Sequence, residues 1–173
     1  MKSSELKIMN LLNSNNVFKE GKIKEYPKKY SRFDAFNKRC IVEIKDRENK
    51  NNYNDLMIEF DKYAYNKEFA IHNNVRFYYS NRYKDNIYTF DILNLYECKY
   101  DFKWRWEMHA QKTEFGKSKE KIPKYVGYID LDCAWDILPM ANDLLDLQVD
   151  SQVLKNGLLN CQENLKTLPA TDP

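Results

Sequence analysis

Asp34, Glu43 and Lys45 are the residues of this chain whose types and spacing could do chemistry. All three lie in Ser31–Glu48, SRFDAFNKRCIVEIKDRE, among Phe, Ile and Val. Two carboxylates a few ångströms apart on rigid strands can hold a hard divalent cation such as Mg²⁺, which takes oxygen ligands and keeps several waters. A lysine beside them can orient or deprotonate an attacking water, while the cation neutralises charge on a phosphate in transit. The plain alternative is an edge hairpin with solvated charges, whose surface Glu–Lys pair contributes little.

The elements that must position these groups follow from periodicity. Arg32–Phe36 and Cys40–Lys45 read as two β-runs joined by the turn Asn37-Lys38-Arg39. Alternation puts Ile41, Glu43 and Lys45 on one face and Cys40, Val42 and Ile44 on the other. Asp34 on the partner run can then lie near both Glu43 and Lys45.

Ser3-Ser4-Glu5 predicts a serine-capped helix with Leu6, Ile8, Met9 and Leu12 on its apolar side. Lys22–Tyr26 reads as a first strand and Asp46–Asn52 as a polar loop. Leu56, Met57, Phe60, Tyr63 and Ala64 predict a central helix over Tyr53–Ile71. Within it Lys62 reads as a solvated lysine paired with Glu59. Val75–Ser80 and Ile87–Leu93 read as strands around a turn at Asn81–Asn86. In Tyr100–Trp106, Trp104 and Trp106 share a face by alternation. They are expected to be half-buried packing, with base stacking as the other reading. His109–Lys124 reads as a lysine-rich loop, Tyr125–Ile129 as a last strand and Asp130–Leu138 as a short helical turn. An acidic, leucine-bearing helical tail is expected from Asn142 to Leu165.

Asp34 followed by Glu43-x-Lys45 on the next strand resembles the PD-(D/E)xK superfamily of restriction-endonuclease-like nucleases, including phage and mobile-element members. The chain departs from the pattern at Phe33, where the family usually has proline. The resemblance covers roughly Glu5–Ser80. It implies an α/β fold with a central mixed sheet flanked by helices, an αβββαβ core over residues 1–140, and a C-terminal helical extension over 141–173. It further implies a Mg²⁺ site (Mn²⁺ substituting) at Asp34 and Glu43, with Lys45 acting on water. An early-helix glutamate would complete the metal site; Glu5 matches, with Glu20 and Glu25 as alternatives. A lysine on the following helix, Lys62, is the auxiliary candidate. The implied substrate is DNA, and cutting both strands would need a homodimer or two events.

Charge distribution agrees with a basic working face. Residues 19–50 hold 11 Lys and Arg against 6 Asp and Glu, and residues 99–124 hold 8 against 4. From Asp130 onward 2 lysines face 8 acids. Arg32, Lys38, Arg39, Arg47, Lys112, Lys117 and Lys119 are the candidates for phosphate contact, which supplies most non-specific nucleic-acid affinity. The length of 173 residues suits one cored domain. A mean hydropathy of −0.78 and the lack of a long apolar run predict a soluble protein without a membrane span. Cys40, Cys98, Cys133 and Cys161 form no CxxC, so buried thiols in a reducing cytoplasm are expected. No phosphate-binding glycine loop is present. Two other functions fit the same composition: a non-catalytic nucleic-acid-binding protein on this fold, and a protein-interaction module working through its acidic tail.

Overall fold

The chain opens with helix α1 (Ser3–Ser14), whose buried Ile8, Met9 and Leu12 lie on one side. Neither serine caps it. Instead the Glu5 carboxylate reaches back to accept the Lys2 N–H at 3.0 Å, satisfying one of the amides that a helix start leaves without a partner. The coordinates are a computed structural model, which describes residues 1–27, 31–47, 52–110 and 120–140. The helical tail expected over 141–173 lies outside the described residues.

After α1 come strands β1 (Lys24–Glu25), β2 (Ala35–Phe36) and β3 (Cys40–Arg47), an antiparallel meander in which Ala35 faces Val42. The turn between β2 and β3 is built by Asn37, whose Oδ1 accepts the N–H groups of Arg39 and Cys40 at 2.8 and 2.9 Å. Then follow β4 (Asp55–Glu59), helix α2 (Phe60–Asn73), β5 (Arg76–Tyr83), β6 (Asn86–Asp91), helix α3 (Ile92–Glu97), β7 (Arg105–Ala110), β8 (Lys121–Asp130), a 3₁₀ turn at Leu131–Cys133, and β9 (Asp136–Pro139). β5 runs parallel to β3, with Glu43 beside Tyr79 and Lys45 beside Asn81. Among the described residues the strands form a six-stranded mixed sheet, ordered β1-β2-β3-β5-β6-β9, and a three-stranded sheet, ordered β4-β8-β7. The class is therefore α/β.

β3 divides the core as its alternation requires. Cys40, Val42 and Ile44 pack with α1, while Ile41 packs with Tyr63 and Ala70 of α2 and with Phe77 and Tyr79 of β5. Leu56 and Ile58 of β4 and Ile129 of β8 join the α2 side. That core spans both sheets, and α2 lies within it.

Several expected elements are corrected. The central helix begins at Phe60, not Tyr53: residues 55–59 pair antiparallel with β8, which buries Leu56 and Ile58 and leaves Asp55, Met57 and Glu59 half-buried. The turn expected at Asn81–Asn86 contracts to Lys84-Asp85, because Asn81, Arg82 and Tyr83 pair with Tyr88, Ile87 and Asn86. Lys84 carries the left-handed backbone, at φ 52°. Ile92 and Leu93 leave the strand for α3, whose start is capped by Asp91 accepting from Asn94 N–H at 3.1 Å. The loop expected over His109–Lys124 is strand at both ends. The helical turn expected at Asp130–Leu138 is one 3₁₀ turn and a strand, with Trp135 packed 5.3 Å from Tyr78. No described helix is long and apolar enough to cross a membrane.

Candidate active site

Asp34 precedes β2 at the point where the chain joins the meander. Its backbone is fixed on both sides: Asp34 N–H donates to Val42 O at 3.0 Å, and its carbonyl accepts from Tyr26 N–H at 2.9 Å. Its carboxylate accepts the Ile44 N–H at 2.8 Å. That places Asp34 Oδ2 against the backbone of the residue between Glu43 and Lys45. Phe33, standing where the resembled family has proline, is buried against Tyr26 and Phe69 at 4.7 and 5.3 Å. An aromatic anchor here holds the segment that a proline would stiffen.

Glu43 is 1% exposed. Lys45 Nζ lies 2.5 Å from its Oε1. Lys62 Nζ, reaching from the first turn of α2, lies 3.1 Å from the same carboxylate. Lys62 also donates to the Arg32 carbonyl at 2.8 Å. One turn further along α2, the fully buried Asn66 donates to that carbonyl at 3.0 Å. α2 thus clamps the backbone before Asp34 and the carboxylate of Glu43 at once. Glu43 Oε1 nevertheless has no well-directed hydrogen bond.

Burial pushes the Glu43 carboxyl up and Asp34 adds to it, while Lys45 and Lys62 pull it down. For Lys45 burial acts downward, but Glu43 and Asp34 outweigh it and hold the ammonium well above its ordinary value. These directions oppose each other within one contact, because a protonated Glu43 would not hold Lys45 up. With two ammonium groups within 3.1 Å, the ionised pair accounts for the geometry, and Glu43 is a carboxylate at neutral pH.

A second polar layer backs the site. Tyr79, 1% exposed, donates to Met57 O at 2.8 Å and accepts from Asn81 Nδ2 at 3.2 Å. Burial raises its phenol. Glu59 pairs with Lys124 at 2.9 Å and not with Lys62, which corrects the expected helix pair. Burial works against the Glu59 carboxylate, yet Lys124, with Lys45 and Arg47 acting the same way, brings it below the usual range. The sequence offered a signal for one of these. Lys62 and Asn66 stand four apart on a helix, so they share a face.

The remaining candidates are placed as follows. Glu5 caps α1. Glu20 lies toward the α1 side and accepts from Tyr78 Oη at 3.0 Å, away from Glu43 and Lys45. Glu25 is exposed and accepts from the Met1 amine at 2.6 Å. That amine is held above its ordinary value by Glu25 first, with smaller contributions from Glu5 and Asp34. Among the described residues no group of three or more Asp, Glu, His or Cys is arranged to hold a metal ion.

Arg32, Lys38 and Arg39 are exposed. Arg47 is half-buried and donates to Met57 O at 2.9 Å, so one arm of its guanidinium is committed. Lys112, Lys117 and Lys119 lie outside the described residues. Trp104 and Trp106 both pack on Tyr125, but only Trp104, just before β7, is half-buried as expected, against Phe60, Tyr63 and Phe102; Trp106 is 70% exposed. Cys40 is buried, and burial pushes its thiol up to about 12. Cys98 is exposed, contrary to the expected burial.

No family model, no curated protein and no solved structure matches the chain.

Proposed function

We propose that this chain is a Mg²⁺-dependent nuclease that hydrolyses DNA phosphodiesters at Asp34, Glu43 and Lys45, with Mn²⁺ able to substitute. The observation that carries it is the convergence of these groups. Asp34 Oδ2 is pinned 2.8 Å from the Ile44 N–H, and Lys45 Nζ stands 2.5 Å from Glu43. Topology supports it in part: a helix, a three-stranded antiparallel meander, and a helix leading to a strand parallel to the third follow the order the PD-(D/E)xK resemblance implies, with β4 of the second sheet inserted before α2.

The donors suit a hard cation, since Glu43 Oε1 is buried beside Lys45 without a well-directed hydrogen bond. Asp34 and Glu43 would hold the ion; Glu5 caps α1, and among the described residues no third carboxylate is grouped with these two. A divalent cation there would supply charge neutralisation at the phosphate. The chain's own groups set the rest. Lys45 is held charged by Glu43 and Asp34, which suits it to donate a hydrogen bond to the attacking water or to the developing charge on phosphate. It is poorly suited to take up a proton. Lys62 touches the same carboxylate and the Arg32 carbonyl, so it positions Glu43 against the Asp34 segment. Arg32, two residues before Asp34, and Lys38 and Arg39, in the turn before β3, supply exposed cations for the phosphate backbone.

A second reading has one observation in its favour. Glu43 is already neutralised by two lysines, as a non-catalytic nucleic-acid-binding protein on this fold would tolerate. Cleavage decides between them. Supercoiled, linear and branched DNA are incubated with Mg²⁺ or Mn²⁺ and the wild type, Asp34→Ala or Lys45→Ala, with folding checked by circular dichroism. Metal-dependent cutting is expected, with Asp34→Ala abolishing it and Lys45→Ala slowing it by about 10²- to 10³-fold. No cutting of any substrate by the folded wild type, or cutting indifferent to both substitutions, overturns the proposal.

A further inference from the structure

Four aromatic rings form a ladder running out of the core along the small sheet. Phe102, 3% exposed, lies 5.4 Å from Trp104 with 27° between ring planes. Trp104 lies 5.8 Å from Tyr125 at 30°, and Tyr125 lies 5.2 Å from Trp106 at 35°. Each step is closer to parallel than to edge-on, so the ladder presents ring faces along its length. Its last member, Trp106, is 70% exposed. The sequence makes room for the arrangement at Gly127, where an added Cβ would meet the Trp104 ring at 2.7 Å. Trp106 therefore ends a stack that nothing among the described residues continues.

Charge indicates what would continue it. Residues 99–124, which contain β7 and the start of β8, carry twice as many cations as acids. Trp106 pairs with Tyr125, Met108 with Pro123 and Ala110 with Lys121, so by strand alternation Lys121 shares the face of Trp106 two pairs along. Lys121 makes no ion pair among the described residues. A planar, uncharged ring joined to a polyanion suits both features: a free aromatic face for the ring and a neighbouring ammonium for the phosphate.

We infer that Trp106 is a stacking platform for an unpaired nucleobase, so that the preferred ligand of this chain contains single-stranded nucleic acid. This rests on the nuclease proposal for its biological setting but not for its test. The full chain is titrated in EDTA with fluorescein-labelled dT12, U12 and a dT12 carrying abasic sites, and anisotropy gives Kd at several salt concentrations. Trp106→Ala should weaken dT12 binding by about 5- to 100-fold, and Trp106→Phe should lose less, because it keeps a ring. The slope of log Kd against log salt should be unchanged, since no phosphate contact is removed. The abasic strand should be insensitive to Trp106→Ala. Comparison of dT12 with U12 tells which sugar is preferred.

Wild-type affinity in Trp106→Ala overturns the inference, as does an absence of single-strand binding by the wild type. So does a dimer in sedimentation that Trp106→Ala dissociates while dT12 binding is untouched, which would assign the face to a second copy of the chain. Cleavage plays no part in these readouts. A Trp106-dependent Kd without cutting would sink the nuclease proposal alone, and cutting with a Trp106-independent Kd would sink this one alone.

Discussion

Two strands of this protein carry a glutamate two residues from a cation, and they treat it in opposite ways. On β3, Glu43 pairs with Lys45 at 2.5 Å. On β7, Glu107 pairs with Arg105 at 2.5 Å, accepts from Tyr128 Oη at 2.7 Å and meets His109 Nε2 at 3.0 Å. Both glutamates share a strand face with their cations, as alternation requires. Their surroundings differ. The Glu43 side chain is 1% exposed and that of Glu107 26%. At Glu43 burial prevails and the carboxyl rises. At Glu107 burial also acts upward, but the Tyr128 and Arg105 hydrogen bonds outweigh it and the carboxyl falls. The i, i+2 spacing is common to both. What distinguishes the candidate site is α2, which lays Lys62 and Asn66 over the Glu43 face, whereas β7 is an edge strand.

The largest expected effect breaks this comparison at its buried end. Glu43→Ala leaves Lys45 and Lys62, each about a quarter exposed, without their common counter-charge. Breaking a buried ion pair from one side is strongly destabilising, and the partial exposure of both lysines moderates it here, so a loss of about 2–4 kcal/mol is expected. Glu107→Gln, in a half-exposed cluster, should lose no more than about 1 kcal/mol. Urea denaturation of the two variants measures both. Equal losses would mean that burial is not what separates the two glutamates.

The contrast was only partly legible in the sequence. Period-two alternation over Cys40–Lys45 assigned every residue of that run to its observed face, because one strand buried on both sides leaves the register no freedom. The asparagine turn before it is equally local. Asp55–Glu59 was not legible. Leu56, Phe60 and Tyr63 fit helical spacing as well as Leu56 and Ile58 fit a strand, and the pairing with β8 that decides between them comes from some seventy residues away. Ile92 and Leu93 look like strand residues until Asp91 is recognised as a cap. The role of Lys62 depended on where α2 begins. A helix starting at Tyr53 pairs Lys62 with Glu59, whereas one starting at Phe60 frees it for Glu43. For the same reason β3 gave no sign that Glu43 would be covered and Glu107 left half-open. Cover is supplied by other elements.

pH sharpens the comparison, because the two shifts have opposite signs. Glu43 has a raised folded value, so the part of its contribution that depends on protonation is fully present below the unfolded carboxylate value, near 4.3, and is lost as pH rises through the folded value, leaving the ion pair with Lys45 and Lys62 above it. Glu107 has a lowered folded value, so its contribution is present above about 4.3 and is lost as pH falls through the folded value. The stability of wild type relative to Glu43→Gln should therefore decline on going from pH 4 toward neutrality. Relative to Glu107→Gln it should increase from pH 3 to 5. Denaturation midpoints across that range test both slopes, and slopes of the same sign would remove the distinction between the two sites.

Salt gives the smallest effect and the cleanest separation. Debye screening shortens from about 10 Å at 0.1 M to about 3 Å at 1 M, but acts only where ions and water reach the charges. Arg105 is 60% exposed, so its attraction for Glu107 passes largely through solvent. The stability difference between wild type and Glu107→Gln should shrink by a few tenths of a kcal/mol between 0.05 and 1 M NaCl. The Glu43 carboxylate is 1% exposed and meets Lys45 and Lys62 at 2.5 and 3.1 Å, so bulk salt screens these contacts little. The corresponding difference for Glu43→Gln should stay constant within error. If it shrinks as much as at Glu107, bulk salt screens the Glu43 contacts as freely as those of the exposed edge strand, and burial of the carboxylate is not what strengthens its attraction for Lys45 and Lys62.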